Sequence, residues 1–156
     1  MNTTAIIGRE DFGRLFDALH DRGYEPVGPT LRDQTIVYDR IVNVEDLPVG
    51  WTDTQGPGTY QLVRRDDEAL FGYVVGPHSF KKYLFPPRHN LFKLEKTSDG
   101  VKLVETTEPS PRFAFIGMRP CELAAMEIQD RVFGGGPFID PEYLERRREA
   151  FVVTVN

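Results

Sequence analysis

Between Asp11 and Gly23 apolar side chains fall at Phe12, Leu15, Phe16 and Leu19, a spacing that puts them on one helical face, and Gly23 stands where a helix would stop. From Tyr24 to Ile41 the pattern changes to short apolar groups broken by Gly-Pro and Arg-Asp, as in Thr35-Ile-Val-Tyr38, which predicts strands joined by turns. Asp46 to Thr59 is so rich in proline and glycine that an ordered loop is expected there. It holds the only tryptophan, Trp51, which would cap the core or stack on a ligand. Tyr60 to Arg64 and Leu70 to Val75 then read as strands flanking the turn Arg65-Asp-Asp-Glu68 and extending an antiparallel sheet.

A short helix is predicted after Gly76-Pro77, with Phe80, Tyr83 and Leu84 on one face and prolines Pro86 and Pro87 ending it. Leu91 to Lys96 and Val101 to Glu105 alternate apolar and polar positions around Thr97-Ser-Asp-Gly100, the pattern of a hairpin. Phe113-Ala-Phe-Ile-Gly117 is different in kind, a near-continuous apolar run of the sort buried on both faces of a sheet. Pro120 suits the first turn of a following helix, whose apolar stripe would be Cys121, Ala124, Ala125, Ile128 and Val132. Asp140-Pro141 opens another helix, and Ala150 to Val155 reads as a second buried strand. Strand, helices and strand in that order form a right-handed parallel crossover. The expected fold is therefore a mixed α+β single domain over residues 1–156, with an antiparallel meander up to about residue 108 and a β-α-β parallel crossover from about 109 onward.

Charge narrows the function classes. With 24 acidic against 19 basic residues and a net charge of −5, the chain lacks the basic footprint of a nucleic-acid binder. One cysteine forms no internal disulfide, the N-terminus has no signal-peptide pattern, and no apolar run approaches the roughly 20 residues that span a bilayer, so a cytoplasmic location without direct membrane insertion is expected.

Candidate chemistry gathers at the strand-to-helix junction Gly117 to Cys121. Helix N-termini beyond the carboxyl ends of parallel strands present free N–H groups to anions, and Arg119 adds a guanidinium suited to carboxylate or phosphate. Both features favour the thiolate of Cys121, which leaves an anion site, a nucleophile or a metal–sulfur contact open beside plain packing. Nucleophilic catalysis has the least support, since no histidine or acid stands at a diagnostic spacing from Cys121. A dinucleotide-binding glycine pattern and a phosphate loop are absent, and one thiol does not hold a cubane cluster. Lys81 and Lys82, with Arg88, form a basic spot that would meet an anionic cofactor or an acidic partner, or simply face solvent. His78 is a turn residue, a pH-sensitive contact or a metal ligand, and His20 and His89 offer it no ligand spacing. No catalytic, cofactor-binding or metal-ligating residue is assigned from these patterns.

Several separated strings, Gly28-Pro-Thr-Leu-Arg-Asp33, Asp46-Leu-Pro-Val-Gly-Trp51, Gln55-Gly-Pro-Gly-Thr-Tyr60, Gly76-Pro-His-Ser-Phe-Lys-Lys-Tyr-Leu-Phe-Pro-Pro87 and Gly117-Met-Arg-Pro-Cys-Glu-Leu123, resemble the N-terminal part of a family of iron–sulfur electron-transfer subunits. These are the beta subunits of soluble sulfhydrogenase-type nickel–iron hydrogenases and the related A subunit of anaerobic sulfite reductase. The resemblance implies that this chain is the cluster-free N-terminal domain of a longer subunit, with [4Fe-4S] clusters held by ferredoxin-type cysteines beyond Asn156. The implied partners are that cluster-binding region, a flavin- and NAD(P)-binding subunit, and the catalytic subunits. The family's Gly-x-Arg-Pro-Cys-Asp motif falls on Gly117, Arg119, Pro120, Cys121 and Glu122, where glutamate replaces the commoner aspartate. Its Pro-His-Ser-x-Lys-Lys motif falls on Pro77, His78, Ser79, Lys81 and Lys82, and both motifs are implied to form docking surface. The alternative is a stand-alone small-molecule or anion-binding enzyme using Arg119 and a Cys121 thiolate.

Overall fold

A computed structural model describes residues 4–73, 76, 78–88, 90, 92–98, 100–105 and 110–156. Helix α1 (Gly13–His20), preceded by a 3-10 turn at Arg9–Asp11, buries Phe16 and Leu19 with Phe12 and Leu15 packed beside them, as the apolar spacing predicts. Strands β1 (Tyr24–Arg32) and β2 (Thr35–Arg40) form an antiparallel hairpin. Its turn residues Asp33 and Gln34 both take positive φ, 47° and 58°, as a two-residue turn matched to strand twist requires.

The Pro/Gly-rich segment is not a loop. Strand β3 (Trp51–Gly56) pairs with β4 (Thr59–Arg64) around Pro57-Gly58, with Gly58 at φ 68°, so proline and glycine serve a tight turn inside a hairpin. Trp51, half-buried, joins neither core cluster among the described residues: it faces Arg64 across the ladder, with the guanidinium 3.7 Å from its ring centre. β4 takes β3 as its partner, and Leu70 to Tyr73 are turn and bend where a strand is expected; Val74 and Val75 of that expectation lie outside the described residues. Helix α2 (Lys81–Leu84) buries Phe80 and Leu84 and half-buries Tyr83, as predicted, and the expected neighbours Pro77 and His89 lie outside the described residues. β5 (Phe92–Thr97) and β6 (Gly100–Glu105) make the predicted hairpin, from which only Leu91 and Asp99 lie outside the described residues. Phe92, Leu94, Val101 and Leu103 lie on one face of it and are exposed.

β7 (Arg112–Met118) is the central strand of a four-stranded mixed sheet ordered β2-β1-β7-β8, with β8 spanning Phe151–Thr154. It runs parallel to β1, in register from Tyr24 opposite Arg112, and parallel to β8, the pairing a β-α-β crossover requires. Every residue from Phe113 to Met118 is buried. Phe113 and Phe115 join one core cluster with Phe80, Leu84, Met126 and Tyr143, whereas Ala114 and Ile116 join the other with Phe16, Leu19 and Ile41. Strict alternation would send Met118 to the second cluster, but Met118 packs in the first. The reason is a bulge: Ile116 faces Val153 and Met118 faces Thr154, which leaves Gly117 as the extra residue and reverses the parity of the strand's last position.

Helices α3 (Pro120–Gly134) and α4 (Pro141–Glu149) connect β7 to β8. Asp140 caps α4 by accepting from the backbone N–H groups of Glu142 and Tyr143, at 3.1 and 3.0 Å. Two expectations fail in this half. The proposed stripe of α3 points outward: Cys121, Ala124, Ala125, Ile128 and Val132 are exposed, and Met126 is the helix's buried residue, with Leu123 and Phe133 packed against the core. β8 is the sheet's edge and not a buried strand, with Phe151 exposed and Val152 and Val153 half-buried, because no strand among the described residues lies beyond it.

Candidate functional site

The site lies where β7 ends and α3 begins. Gly117 takes φ 80°, a conformation that disfavours any side chain. A Cβ built there would sit 2.6 Å from the Phe71 ring and 3.0 Å from the Tyr73 hydroxyl, so the position also lacks room. That close approach lets the Tyr73 hydroxyl donate to the Gly117 carbonyl at 3.0 Å. Arg119 then folds its guanidinium back, with Nη2 donating to the carbonyls of Phe71 and Tyr73 and the group lying 5.2 Å from the Tyr73 ring centre. Segment 71–73 is thereby laced to the strand end by hydrogen bonds from both directions. Burial pushes the Tyr73 hydroxyl up to about 12.

Arg119 is the N-cap of α3 and Pro120 its first residue, so the backbone geometry is set before any side chain is considered. The third helical position, Glu122, reaches back: its Oε2 accepts the Arg119 backbone N–H at 3.0 Å and the Tyr38 hydroxyl at 2.8 Å. Burial raises the Glu122 carboxyl above its ordinary value, against the lowering effects of the Arg119 N–H bond, the Tyr38 hydroxyl and the Arg119 charge. Burial is also the main reason the Tyr38 hydroxyl is pushed far above a free phenol, with Tyr73 and Glu122 adding to it. Tyr38 stacks on Phe80, ring centres 4.1 Å apart at 25°, and so joins the two sequence motifs.

The segment from His78 to Lys82 divides between two depressions. Ser79, Phe80 and Lys81 line a small cleft of about 50 Å³ together with Glu122, Ala125 and Gln129. His78 and Lys82 line a wide, open groove with Arg32, Tyr38 and Asp39. Lys82 lies 5.0 Å from the Tyr83 ring centre, and Arg32 is paired with Asp39 at 3.5 Å, so the basic groups of this groove already have neighbours of their own.

Of the sequence-derived candidates, Glu122 and Lys81 therefore meet in one cleft, and His78 and Lys82 in another. Arg119 and Cys121 do not converge on a common point: the arginine turns inward to backbone carbonyls, and the cysteine is exposed on the outer face of α3. An anion held by Arg119 Nη2 at the helix end would compete with the bonds that atom makes to the Phe71 and Tyr73 carbonyls. Among the described residues no three His, Cys, Asp or Glu side chains are grouped to hold a metal ion, and no helix is long and apolar enough to cross a membrane. Tyr38, Phe71, Tyr73 and Gln129 belong to the site without having been singled out in the sequence. Tyr38 meets a residue 84 positions away, a contact for which short-range patterning carries no signal. No family model, curated protein or solved structure matches this chain.

Proposed function

We propose that this domain is a docking scaffold: the cluster-free N-terminal part of an iron–sulfur electron-transfer subunit of the type its motifs resemble, seating the cluster-bearing region within a cytoplasmic complex that moves electrons between a flavin- and nicotinamide-binding subunit and a hydrogenase or sulfite reductase catalytic subunit. The observation that carries this reading is the outward face of α3. Ile128 and Val132 are 59% and 63% exposed, and with Cys121, Ala124 and Ala125 they make an apolar stripe on a helix whose other face is already packed on its own core. A helix with apolar groups on its solvent side is a surface awaiting a partner. The stripe starts inside the Gly-x-Arg-Pro-Cys-Glu motif, so the resemblance and the surface coincide. Arg119 and Glu122 then act inside the domain, fixing the end of α3 and hence the direction of the stripe.

The test is association between this chain and the ferredoxin-type four-cysteine region of a subunit of this family, followed by sedimentation velocity. The wild-type chain binds, and the double variant Ile128→Asp/Val132→Asp does not, while its own unfolding midpoint stays put because both positions are exposed. Equal binding by the variant would refute the docking surface. Iron and acid-labile sulfide that copurify with the chain and persist in Cys121→Ala would refute the cluster-free part.

A further inference from the structure

The cleft between α2 and the first turns of α3 contains an unmet need. Glu122 and Gln129 both line it, and each keeps a buried oxygen, Oε1 in both cases, with no hydrogen-bond partner among the described residues. Seven positions apart on a helix, the two residues stand two turns apart on the same face. Folded proteins rarely bury acceptors without a donor, and two in one cleft mark a place where donors arrive from outside. The cleft is shallow in capacity, about 50 Å³, room for one or two waters at about 30 Å³ each or for the head of one charged side chain.

The electrostatics select the sign of that head. Both unmet atoms are acceptors and Glu122 brings a carboxyl group; Arg119 directs Nη2 to the Phe71 and Tyr73 carbonyls, and Lys81, which also lines the cleft, bonds to neither oxygen. The position selects its source. Ala125 lines the cleft and is also part of the exposed apolar stripe of α3, so whatever covers the stripe passes the mouth of the cleft.

We propose that this cleft receives one basic side chain, a lysine ammonium or an arginine guanidinium, from the partner that covers the α3 stripe, with the donor bridging Glu122 Oε1 and Gln129 Oε1. This rests on the docking reading above. An apolar stripe alone tolerates sliding of one surface over another; a single cation held between two acceptors fixes the register.

The experiment uses small cations in place of the partner. Ethylguanidinium and ethylammonium are titrated separately into the isotopically labelled chain near neutral pH, with tetramethylammonium, a cation without N–H donors, as the control at equal ionic strength. The Met126 methyl and the Gln129 side-chain amide are followed by NMR. Saturable shifts with either donor cation and none with the control are expected, with affinity falling by about tenfold in Gln129→Leu, the loss of one hydrogen bond, and further in Glu122→Gln. The absence of saturable binding, binding equal to the control, or binding unchanged in Gln129→Leu would overturn the proposal. So would binding seen only in Lys81→Ala, which would mean that the chain's own lysine fills the cleft. The uncharged variant Ile128→Asn/Val132→Asn breaks the apolar stripe without adding charge beside the cleft and leaves the small-cation titration unaltered, so failure of the cleft and failure of the docking face are read separately.

Discussion

Replacing Gly117 by alanine tests whether the junction is built around the absence of a side chain. Two penalties act together. Holding an L-residue at φ 80° costs about 1–2 kcal/mol. Forcing a Cβ to within 2.6 Å of the Phe71 ring and 3.0 Å of the Tyr73 hydroxyl adds an overpacking cost of about 1–3 kcal/mol, since both groups are themselves fixed by contacts at this site. The combined destabilisation is about 3 kcal/mol. With a urea m-value of about 2 kcal/mol/M, the unfolding midpoint falls by roughly 1.5 M. Gly13→Ala is the matched control, because a Cβ at the start of α1 meets nothing within 4 Å, and it should leave the midpoint unchanged or raise it slightly. Urea unfolding followed by far-UV circular dichroism measures both. A Gly117→Ala midpoint within about 0.3 M of wild type, or equal shifts in the two variants, would refute the claim that the bulge and the close approach of Phe71 require glycine.

Three further outcomes follow from particular groups. Burial holds the Glu122 carboxyl above its ordinary value of 4.5, so the folded state binds that proton more tightly than the unfolded chain; its contribution is most favourable below pH 4.5 and declines as the pH rises past it. Urea midpoints of wild type and Glu122→Gln, measured from below pH 4.5 to neutrality, should show wild type losing ground to the variant on the alkaline side; parallel curves would refute the shift. Asp140→Ala removes the acceptor that caps α4 and should lower stability by about 1 kcal/mol, read as a melting temperature about 2–4 °C lower. Cys121 is exposed, so it should react with a disulfide reagent in the folded protein as quickly as in denaturant; a reaction that waits for unfolding would place the thiol inside.

Elements whose signal is local were legible from residues alone. The spacing of Phe12, Leu15, Phe16 and Leu19 gave α1, the unbroken apolar run gave β7, and Asp140-Pro141 gave the start of α4. What was not legible depends on distant partners. The apolar stripe of α3 is present as read, yet an apolar face does not state which way it turns. The neighbours decide that, and Met126, Leu123 and Phe133 have the larger buried cluster to join. Pro57-Gly58 looked like loop because its meaning as a turn depends on Trp51 and Arg64 pairing across it. At the site, the chemistry of Glu122 and Arg119 is visible in the residues themselves, but their partners Tyr38 and Tyr73 lie 84 and 46 positions away respectively.

The parallel pairing of β1 with β7 also governs how the chain reaches this fold. Arg112, at the start of β7, bonds to the hydroxyl of Tyr24, which is 88 residues earlier, so the central ladder cannot form until that long intervening loop has closed. The β1–β2, β3–β4 and β5–β6 hairpins join near neighbours, whereas loop-closure entropy predicts that β7, the strand shared by the two core clusters, docks after them. Until it arrives, β1 presents a bare edge. The interval between hairpin formation and the docking of β7 is therefore when this chain is most exposed to pairing with another copy of itself.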